Sequence, residues 1–233
     1  MDIHKELGLP INCKIGVGVD RLDYTKGIEE RLLAVDMLLT RFPQYRGHFV
    51  FIQIAAPSRT KIERYRDLNE RIESLAHEIN TRWATNDYRP VVLLRQHHEP
   101  SSVFRLFRAA ELCYLSSLHD GMNLVAKEFV AARDDGAGVL VLSQFTGAAR
   151  DLTEALIVNP YDLQEASDAL HAALQMAPLE QRDRMESMRR VVSEFNVYRW
   201  AGRMLIDAAE LRRREQITGR LAAKNQIARV INR

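Results

Sequence analysis

Short apolar runs recur along the first two thirds of the chain, and segments with helical spacing separate them. The runs are rich in β-branched residues and almost continuously hydrophobic, which is typical of strands covered on both faces of a sheet. They comprise residues 14–19, 49–55, 91–94, 112–115, 139–142 and 155–158. In the intervening segments apolar side chains repeat every three or four positions, as they do from Ile28 to Leu39 and from Ile62 to Ile79, which predicts helices.

The alternation of strands and helices predicts an α/β fold, a Rossmann-like parallel sheet that is flanked by helices and joined by right-handed crossovers. Ligands of such sheets bind outside the carboxyl ends of the strands. From residue 163 onward the spacing is helical, and residues 203–233 combine the basic run Arg212 to Arg214 with scattered apolar positions. We therefore predict a Rossmann-like domain over residues 1–200 and a helical tail over residues 201–233 that packs poorly on its own domain.

The composition is that of a globular protein, because 46% of the 233 residues are hydrophobic and 27% are charged. A net charge of +2 gives no global argument for a nucleic-acid partner or an anionic membrane. No apolar run approaches the ~20 residues that span a bilayer, and the amino terminus lacks the core of a signal peptide, so we expect a cytoplasmic protein. Cys13 and Cys113 lie in apolar contexts without metal or redox spacing, which predicts buried free thiols.

The segment from Asp20 to Gly27 joins the first predicted strand to a helix and carries two cations, Arg21 and Lys26. Such a turn can close on adjacent phosphates, because Gly27 admits close backbone approach and the helix start offers free amide donors. The segment does not match the glycine motif of nicotinamide-dinucleotide-binding domains, because the third glycine of that motif would fall at Arg21. It does not match a P-loop either. We predict a diphosphate site. The alternative is that both cations form surface salt bridges with nearby acidic residues.

A second turn, residues 118–129, again leads from an apolar run into a helix. We predict that Asp120 and Gly121 lie at the helix start, where Asp is also a common N-cap that needs no ligand. Glu128 follows about two helical turns later, so its carboxylate can share a face with the turn and accept hydrogen bonds from vicinal hydroxyls. Burial of an unpaired carboxylate beside Phe129 would be costly, which favours a partnered Glu128. Together the two turns predict a nucleotide-sugar site.

Three further segments contain polar residues that could serve a site. Arg59 follows the second predicted strand and either meets an anion in the same crevice or belongs to the charged first turn of the next helix. His97, His98 and Glu99 have metal-ligating groups, but neighbouring histidines point in different directions, so we predict no metal site. Residues 143–147 lack the histidine and acid of a nucleophilic triad, and we interpret them as a loop that closes the cleft.

Five segments of the chain, in this order, resemble trehalose-6-phosphate synthases. They are residues 20–27, 54–59, 120–132, 139–149 and 155–162. The resemblance covers residues 14–200 and implies a GT-B glycosyltransferase fold, in which two Rossmann-like domains face each other across a cleft. This chain resembles the carboxyl-terminal, donor-binding half. The resemblance leads us to expect that an amino-terminal acceptor domain is missing or that a partner chain supplies it. We also expect that the chain can form a homo-oligomer.

The resemblance also implies roles for individual residues in the transfer of glucose from UDP-glucose to glucose 6-phosphate. Arg21 and Lys26 would hold the diphosphate, and Asp120 would hydrogen-bond the glucose hydroxyls; these three are the predicted catalytic residues. Glu128 would bind the ribose. The other predicted substrate contacts are Arg59 at the acceptor phosphate, His98 near the uracil, and Gly121, Met122, Asn123, Leu124 and Val125 along the donor.

The implied reaction is glucosyl transfer with retention, without an obligatory metal and without a cofactor besides the donor substrate. Arg21 and Lys26 would then neutralise the charge that grows on UDP as the glycosidic bond breaks. His119 stands immediately before Asp120, where many relatives carry Arg. Two alternatives stay open: a glucosylglycerol-phosphate synthase or related glycosyltransferase domain, and a non-catalytic nucleotide-sugar-binding module. The motifs do not distinguish UDP from GDP or ADP as the carrier.

Overall fold

The computed structural model describes residues 3–58, 62–85 and 88–231. Its strands are β1 (Lys14–Arg21), β2 (Phe49–Ala56), β3 (Val91–Leu94), β4 (Leu112–Leu115), β5 (Val139–Ser143) and β6 (Leu156–Val158). Its helices are α1 (Ile3–Glu6), α2 (Ile28–Arg41), α3 (Glu63–Trp83), α4 (Pro100–Ala109), α5 (Leu124–Ala132), α6 (Leu163–Gln175), α7 (Pro178–Glu194) and α8 (Val197–Ile231). The strands coincide with the predicted apolar runs, so the predicted alternation of strand and helix is confirmed.

Within the described residues, six strands form one parallel sheet in the order β3-β2-β1-β4-β5-β6. β1 pairs with β2 along its whole length and with β4 at Gly16 and Val17. The strand order therefore reverses between β1 and β4. In open parallel sheets, ligands bind outside the carboxyl ends of the strands at such a reversal.

Helices cover both faces of the sheet, as near-continuous apolar strands require. On one face α2, α3 and α6 bury apolar side chains against strand residues such as Phe51 and Val141. On the other face α4 contacts β1, and α5 contacts β4 and β5. Phe107 and Phe129 meet there edge to face, with 5.7 Å between their ring centroids. Each fully buried side chain of this kind stabilises the fold by about 1.5–3 kcal/mol, so the core holds the ends of β1 and β4 in place.

The two cysteines are buried free thiols, as their apolar surroundings predicted. Cys113 lies in β4, at the centre of the sheet. Cys13 immediately precedes β1, and its S–H donates to the carbonyl oxygen of Gly47 at 3.2 Å.

The chain divides into two compact units, Met1–Val191 and Val192–Arg233. The second unit contains α8, so the predicted helical tail is confirmed as helix. From residue 197 to residue 218 its side chains are exposed, apart from the half-buried Ala201. The division predicted at residue 200 stays a prediction. In the ranges that the structure describes, no helix is both long enough and apolar enough to cross a membrane.

Candidate functional site

The first predicted turn begins at the carboxyl end of β1 and is fixed by its own side chains. Arg21 is the last residue of the strand, and Tyr24–Lys26 form a single 3₁₀ turn before α2. Asp23 caps that turn, because its Oδ1 accepts hydrogen bonds from the amide and the hydroxyl of Thr25, both at 3.0 Å. The cap fixes the backbone of Lys26 immediately before the first residue of α2.

Gly27, between this turn and α2, adopts the left-handed conformation with φ 61° and ψ 38°. A Cβ atom here would lie 2.2 Å from the carbonyl oxygen of Ser116, the residue that follows β4. The hydroxyl of Ser116 donates to the carbonyl oxygen of Gly27 at 2.6 Å, so the turns after β1 and β4 are in direct contact. Only glycine combines this conformation with so close an approach. The structure therefore explains Gly27 by its contact with the turn after β4.

The helix that follows the second predicted turn begins later than expected. α5 begins at Leu124, and its N-cap is Asn123 rather than Asp120 or Gly121. Asn123 has φ 71° and ψ 80°, and its Oδ1 accepts a hydrogen bond from the amide of Ala126 at 3.1 Å. Asparagine is one of the few residues besides glycine that adopt such a conformation, and it caps helices as well as aspartate does. The helix start predicted at Asp120 is wrong, and its carboxylate is not used as a helix cap.

A third loop, after β5, supports the backbone around Asp120. The amide of Asp120 donates to the carbonyl of Phe145 at 3.1 Å, and the amide of Gly147 donates to the carbonyl of Asp120 at 3.0 Å. A Cβ atom on Gly147 would lie 2.0 Å from the carbonyl oxygen of Gly121, so a larger residue would displace this loop. Sequence reasoning treated residues 143–147 as a loop that closes the cleft and missed these contacts. The glycine at position 147 was the sequence feature that indicated this close contact.

The turns after β1 and β4 meet through their charged side chains. Lys26 Nζ lies 2.5 Å from Asp120 Oδ2 and 3.9 Å from Asp20 Oδ1. The side chains of Lys26 and Asp120 are 16% and 15% exposed, so the pair is mostly shielded from water but not fully buried. Shielded ion pairs interact more strongly than exposed ones. The structure thus brings two predicted site residues together, and Lys26 also has an acidic neighbour of the kind that the salt-bridge alternative requires.

Two other predicted site residues are exposed. The side chain of Arg21 forms no hydrogen bond or ion pair with any other residue that the structure describes. Glu128 lies on an exposed part of α5, so the cost of burial does not support a partnered carboxylate there. The reason is that water solvates an exposed carboxylate and no unpaired charge is buried. The ribose contact assigned to Glu128 stays a prediction.

The remaining predicted contacts are spread along the carboxyl edge of the sheet. In the loop after β4, Gly121 and Met122 are exposed and Asn123 is buried; in the first turn of α5, Leu124 is exposed and Val125 is half-buried. His98 follows the edge strand β3, two strands away from β1, and its Nε2 is buried without a hydrogen-bond partner among the described residues. Arg59 lies outside the described residues. Across the described ranges, no three His, Cys, Asp or Glu side chains cluster as metal ligands would.

Sequence reasoning missed the buried ion pair beneath Lys26. Arg31, in α2, is completely buried, and its Nη2 donates to Asp20 Oδ2 at 2.7 Å. Burial raises the pKa of Asp20, and the positive charges of Arg31 and Lys26 oppose that rise. The helical spacing of apolar residues indicated this burial, because Arg31 lies with Ile28 and Leu32 among the buried positions of α2. A cation among buried apolar positions requires a buried partner.

A cavity of about 450 Å³ opens at the ends of β1 and β2, beside the turn that carries Lys26. Leu22, Ala55 and Tyr65 form part of its lining, and the guanidinium-bearing residues Arg66 and Arg95 also border it. Part of the segment 54–59 lines it, the segment whose Arg59 was expected to meet an anion in the crevice. Glu70 borders the cavity as well, and Arg95 pairs with Glu73 at 2.7 Å, so the charge around the cavity is mixed.

A parallel sheet in this order, with helices on both faces, defines a Rossmann-like domain. GT-B glycosyltransferases carry two such domains, and this chain matches one of them. Residues 4–210 match the family model described as Glycosyltransferase family 20, and the chain belongs to that family.

Individual relatives share about 40% of their residues with this chain over roughly half of their own length. The trehalose-6-phosphate synthase of Sodalis glossinidius (strain morsitans) is 40% identical over 210 residues, which are 90% of this chain and 45% of the relative. An E. coli structure described as trehalose-6-phosphate bound with UDP-2-fluoro glucose has a TM-score of 0.83 at 41% identity, over 84% of this chain and 44% of the other. A UDP-forming α,α-trehalose-phosphate synthase from Burkholderia xenovorans, in complex with glucose-6-phosphate, has a TM-score of 0.83 at 41% identity, also over 84% and 44%.

Proposed function

We propose that this chain is the donor-binding half of a UDP-forming α,α-trehalose-phosphate synthase, which transfers glucose with retention from UDP-glucose to glucose 6-phosphate. The observation that carries the proposal is the contact between Lys26 and Asp120, a cation and a carboxylate from two separate motifs, in the crevice where parallel sheets bind ligands. Two similar structures support it, because their descriptions name UDP-2-fluoro glucose and glucose-6-phosphate as the bound molecules.

In this proposal Lys26 and Arg21 bind the diphosphate of the donor. Negative charge grows on UDP as the glycosidic bond breaks, and a fixed cation in a shielded crevice stabilises that charge better than water does. By analogy with a single oxyanion-hole donor, Lys26 contributes on the order of 2 to 4 kcal/mol to transition-state stabilisation. Arg21 is exposed, so solvent screens its charge and we expect a smaller contribution from it.

Asp120 and Glu128 are proposed to recognise hydroxyl groups, because an ionised carboxylate accepts hydrogen bonds from vicinal hydroxyls of a sugar. Asp120, whose backbone the β5 loop supports, binds the glucose, and Glu128 on α5 binds the ribose. His98 is assigned to the uracil, since its Nε2 has no hydrogen-bond partner among the described residues. Arg59 is assigned to the phosphate of the acceptor. The proposal requires no cofactor besides the donor substrate.

Calorimetric titration with UDP and UDP-glucose tests donor binding in the chain as it stands. Transfer is not the readout, because the chain spans 45% of a relative's length and, apart from Arg59, the acceptor contacts are expected in the rest of the whole protein. Lys26→Ala should weaken UDP binding about tenfold or more, since a hydrogen bond from a charged group is worth about 1.5–3 kcal/mol. Titration with GDP and ADP under the same conditions identifies the carrier nucleotide.

Lys127→Ala is the matched control for that titration. Lys127 is also a partly exposed lysine paired with an aspartate, since its Nζ lies 2.7 Å from Asp151 Oδ2 and its side chain is 20% exposed. We expect this variant to bind UDP as the unaltered chain does. If the unaltered chain binds none of the three nucleotides, or if both lysine variants lose the same affinity, the diphosphate assignment is wrong.

A further inference from the structure

The guanidinium of Arg31 is the centre of a buried polar network directly behind the turn that carries Lys26. It donates to a carboxylate, an amide, a hydroxyl and a main-chain carbonyl. These bonds are Nη2 to Asp20 Oδ2 at 2.7 Å, Nη1 to Gln53 Oε1 at 2.9 Å, Nε to Ser116 Oγ at 3.0 Å and Nη2 to the carbonyl of Lys26 at 3.3 Å. Asp20, Gln53 and Ser116 are themselves buried. A cation withdrawn from water requires such partners, because burying it without them would be prohibitive.

This network holds Lys26 at two points. Its main chain is held because the Lys26 carbonyl accepts a hydrogen bond from Arg31. Its ammonium is held because Arg31 fixes Asp20, whose second carboxylate oxygen faces Lys26 Nζ at 3.9 Å. The charges alternate from Arg31 through Asp20 and Lys26 to Asp120. Without Arg31, the carboxylate of Asp20 would be free to rotate or to take up a proton, since burial already raises the pKa of Asp20.

Gly18 in β1 provides an independent indication, because the Arg31 network occupies the volume that a side chain at position 18 would fill. A Cβ atom on Gly18 would lie 2.6 Å from Gln53 Oε1 and 2.7 Å from Arg31 Nη1. Any side chain at this position would therefore push the guanidinium away from its acceptors. The glycine in the middle of this strand is explained by the arginine that packs across it.

We propose that Arg31 is a positioning residue of the donor site: without touching the ligand, it sets the place of the Lys26 ammonium through Asp20 and the Lys26 carbonyl. The proposal rests on the proposed function, because Lys26 is assigned there to the diphosphate. It predicts that the geometry of the guanidinium matters as well as its charge. A lysine in its place keeps the charge but cannot make the forked set of hydrogen bonds.

A purely structural role for Arg31 can be separated from a positioning role, because the chain contains a second buried arginine. Arg133 is 4% exposed and its Nη1 donates to the carbonyls of Phe107, Arg108 and Ala110. These groups precede β4, at the amino edge of the sheet and opposite the candidate site. Arg133→Lys is therefore a matched control that weakens a buried arginine network far from Lys26.

The experiment compares Arg31→Lys with Arg133→Lys by two measurements. Hydrogen exchange without ligand should become at least about tenfold faster in residues 23–27 of Arg31→Lys and stay unchanged there in Arg133→Lys. UDP affinity should fall on the order of tenfold in Arg31→Lys, equivalent to one charged hydrogen bond, and stay unchanged in Arg133→Lys. Urea unfolding of both variants shows whether they lose similar stability. Gln53→Met, which removes one acceptor of Arg31 while leaving the hydrogen bond from Ser116 to Gly27 in place, gives a milder variant should Arg31→Lys fail to fold, and it should change both readouts in the same direction.

Two results would overturn the proposal: unchanged exchange in residues 23–27, or faster exchange there with undiminished UDP affinity. Equal effects in the two arginine variants would assign Arg31 a structural role and overturn it as well. Failure of the unaltered chain to bind UDP would instead contradict the proposed function. Hydrogen exchange would still decide in that case whether Arg31 positions the turn, since this measurement needs no ligand.

Discussion

Lys26 Nζ lies 2.5 Å from Asp120 Oδ2, although 94 positions separate the two residues in the chain. The contact exists because β1 and β4 are neighbours in the sheet and each residue belongs to the loop that leaves its strand at the carboxyl end. The contact between Gly27 and Ser116 brings the two loops close enough for it. A change in the charge of either side chain is therefore expected to act on the other.

Asp120→Asn should separate recognition of the sugar from recognition of the diphosphate. The variant keeps the shape of the side chain but removes its negative charge. That charge pairs with Lys26 and strengthens the hydrogen bonds that the carboxylate accepts from sugar hydroxyls. We expect UDP to bind as tightly as before or more tightly, while the advantage of UDP-glucose over UDP falls by about 1.5–3 kcal/mol at most. Calorimetry with both ligands measures this difference.

Asp151→Asn is the control for this prediction, because Asp151 is the carboxylate partner of Lys127 and lies in another ion pair. It should leave both affinities unchanged. A loss of UDP affinity in Asp120→Asn equal to its loss of UDP-glucose affinity would contradict the assignment of Asp120 to the sugar.

The strands were predictable because a parallel sheet covered on both faces needs nearly continuous apolar runs, and residues 49–55 and 112–115 are such runs. The two site loops were predictable because they follow strands of this kind. Which loops meet depends on the order of the strands, and local periodicity carries no information about that order. The neighbouring positions of β1 and β4, and hence the contact of Lys26 with Asp120, required the structure.

Burial of charged residues was less predictable than the fold. Glu128 follows Lys127 and precedes Phe129, but neighbours in a helix point in directions about 100° apart, so a buried Phe129 does not imply a buried Glu128. Arg31 shows the opposite case, since a charged residue is fully buried among the apolar positions of α2. Spacing over several turns was the informative signal in both cases.

Gly27→Ala should destabilise the protein far more than Gly8→Ala does. Both glycines have positive φ, 61° and 63°, so alanine costs about 1–2 kcal/mol at either position for its conformation alone. At Gly27 the new Cβ would also lie 2.2 Å from the carbonyl oxygen of Ser116, whereas at Gly8 nothing lies within 4 Å. We expect a further loss of roughly 1–3 kcal/mol at Gly27 from this overlap. Urea unfolding measures both; equal losses would show that the two turns can separate without cost.

Cys113 should resist alkylation in the folded protein. The thiolate is the reactive form, and burial raises the pKa of Cys113 well above its usual range. Iodoacetamide at pH 8 should therefore modify it at least about tenfold more slowly than in the urea-unfolded chain. The rate should keep rising from pH 8 to about pH 10 without levelling off, because the thiol remains mostly protonated over this range. Mass spectrometry of the peptides measures the rates, and rapid labelling of folded protein would contradict the burial of β4.

Gly18→Ala and Gly16→Ala form a pair that separates damage to the core from damage to the network behind Lys26. At Gly16 a Cβ atom would lie 2.7 Å from Phe49 Cζ and 2.8 Å from Phe51 Cδ2, whereas at Gly18 it would meet Gln53 and Arg31. Both substitutions overpack the same strand, so each should cost about 1–3 kcal/mol of unfolding free energy.

We expect the UDP affinity to fall in Gly18→Ala and to be preserved in Gly16→Ala. The physical reason is that displacement of two phenyl rings strains the apolar core, whereas displacement of the Arg31 guanidinium releases Asp20 and with it the support of Lys26. Calorimetry with UDP, at a temperature where both variants are fully folded, measures the difference. If both variants bind UDP equally well, the position of Lys26 does not depend on the buried network, and the alternating series of charges behind it contributes to stability alone.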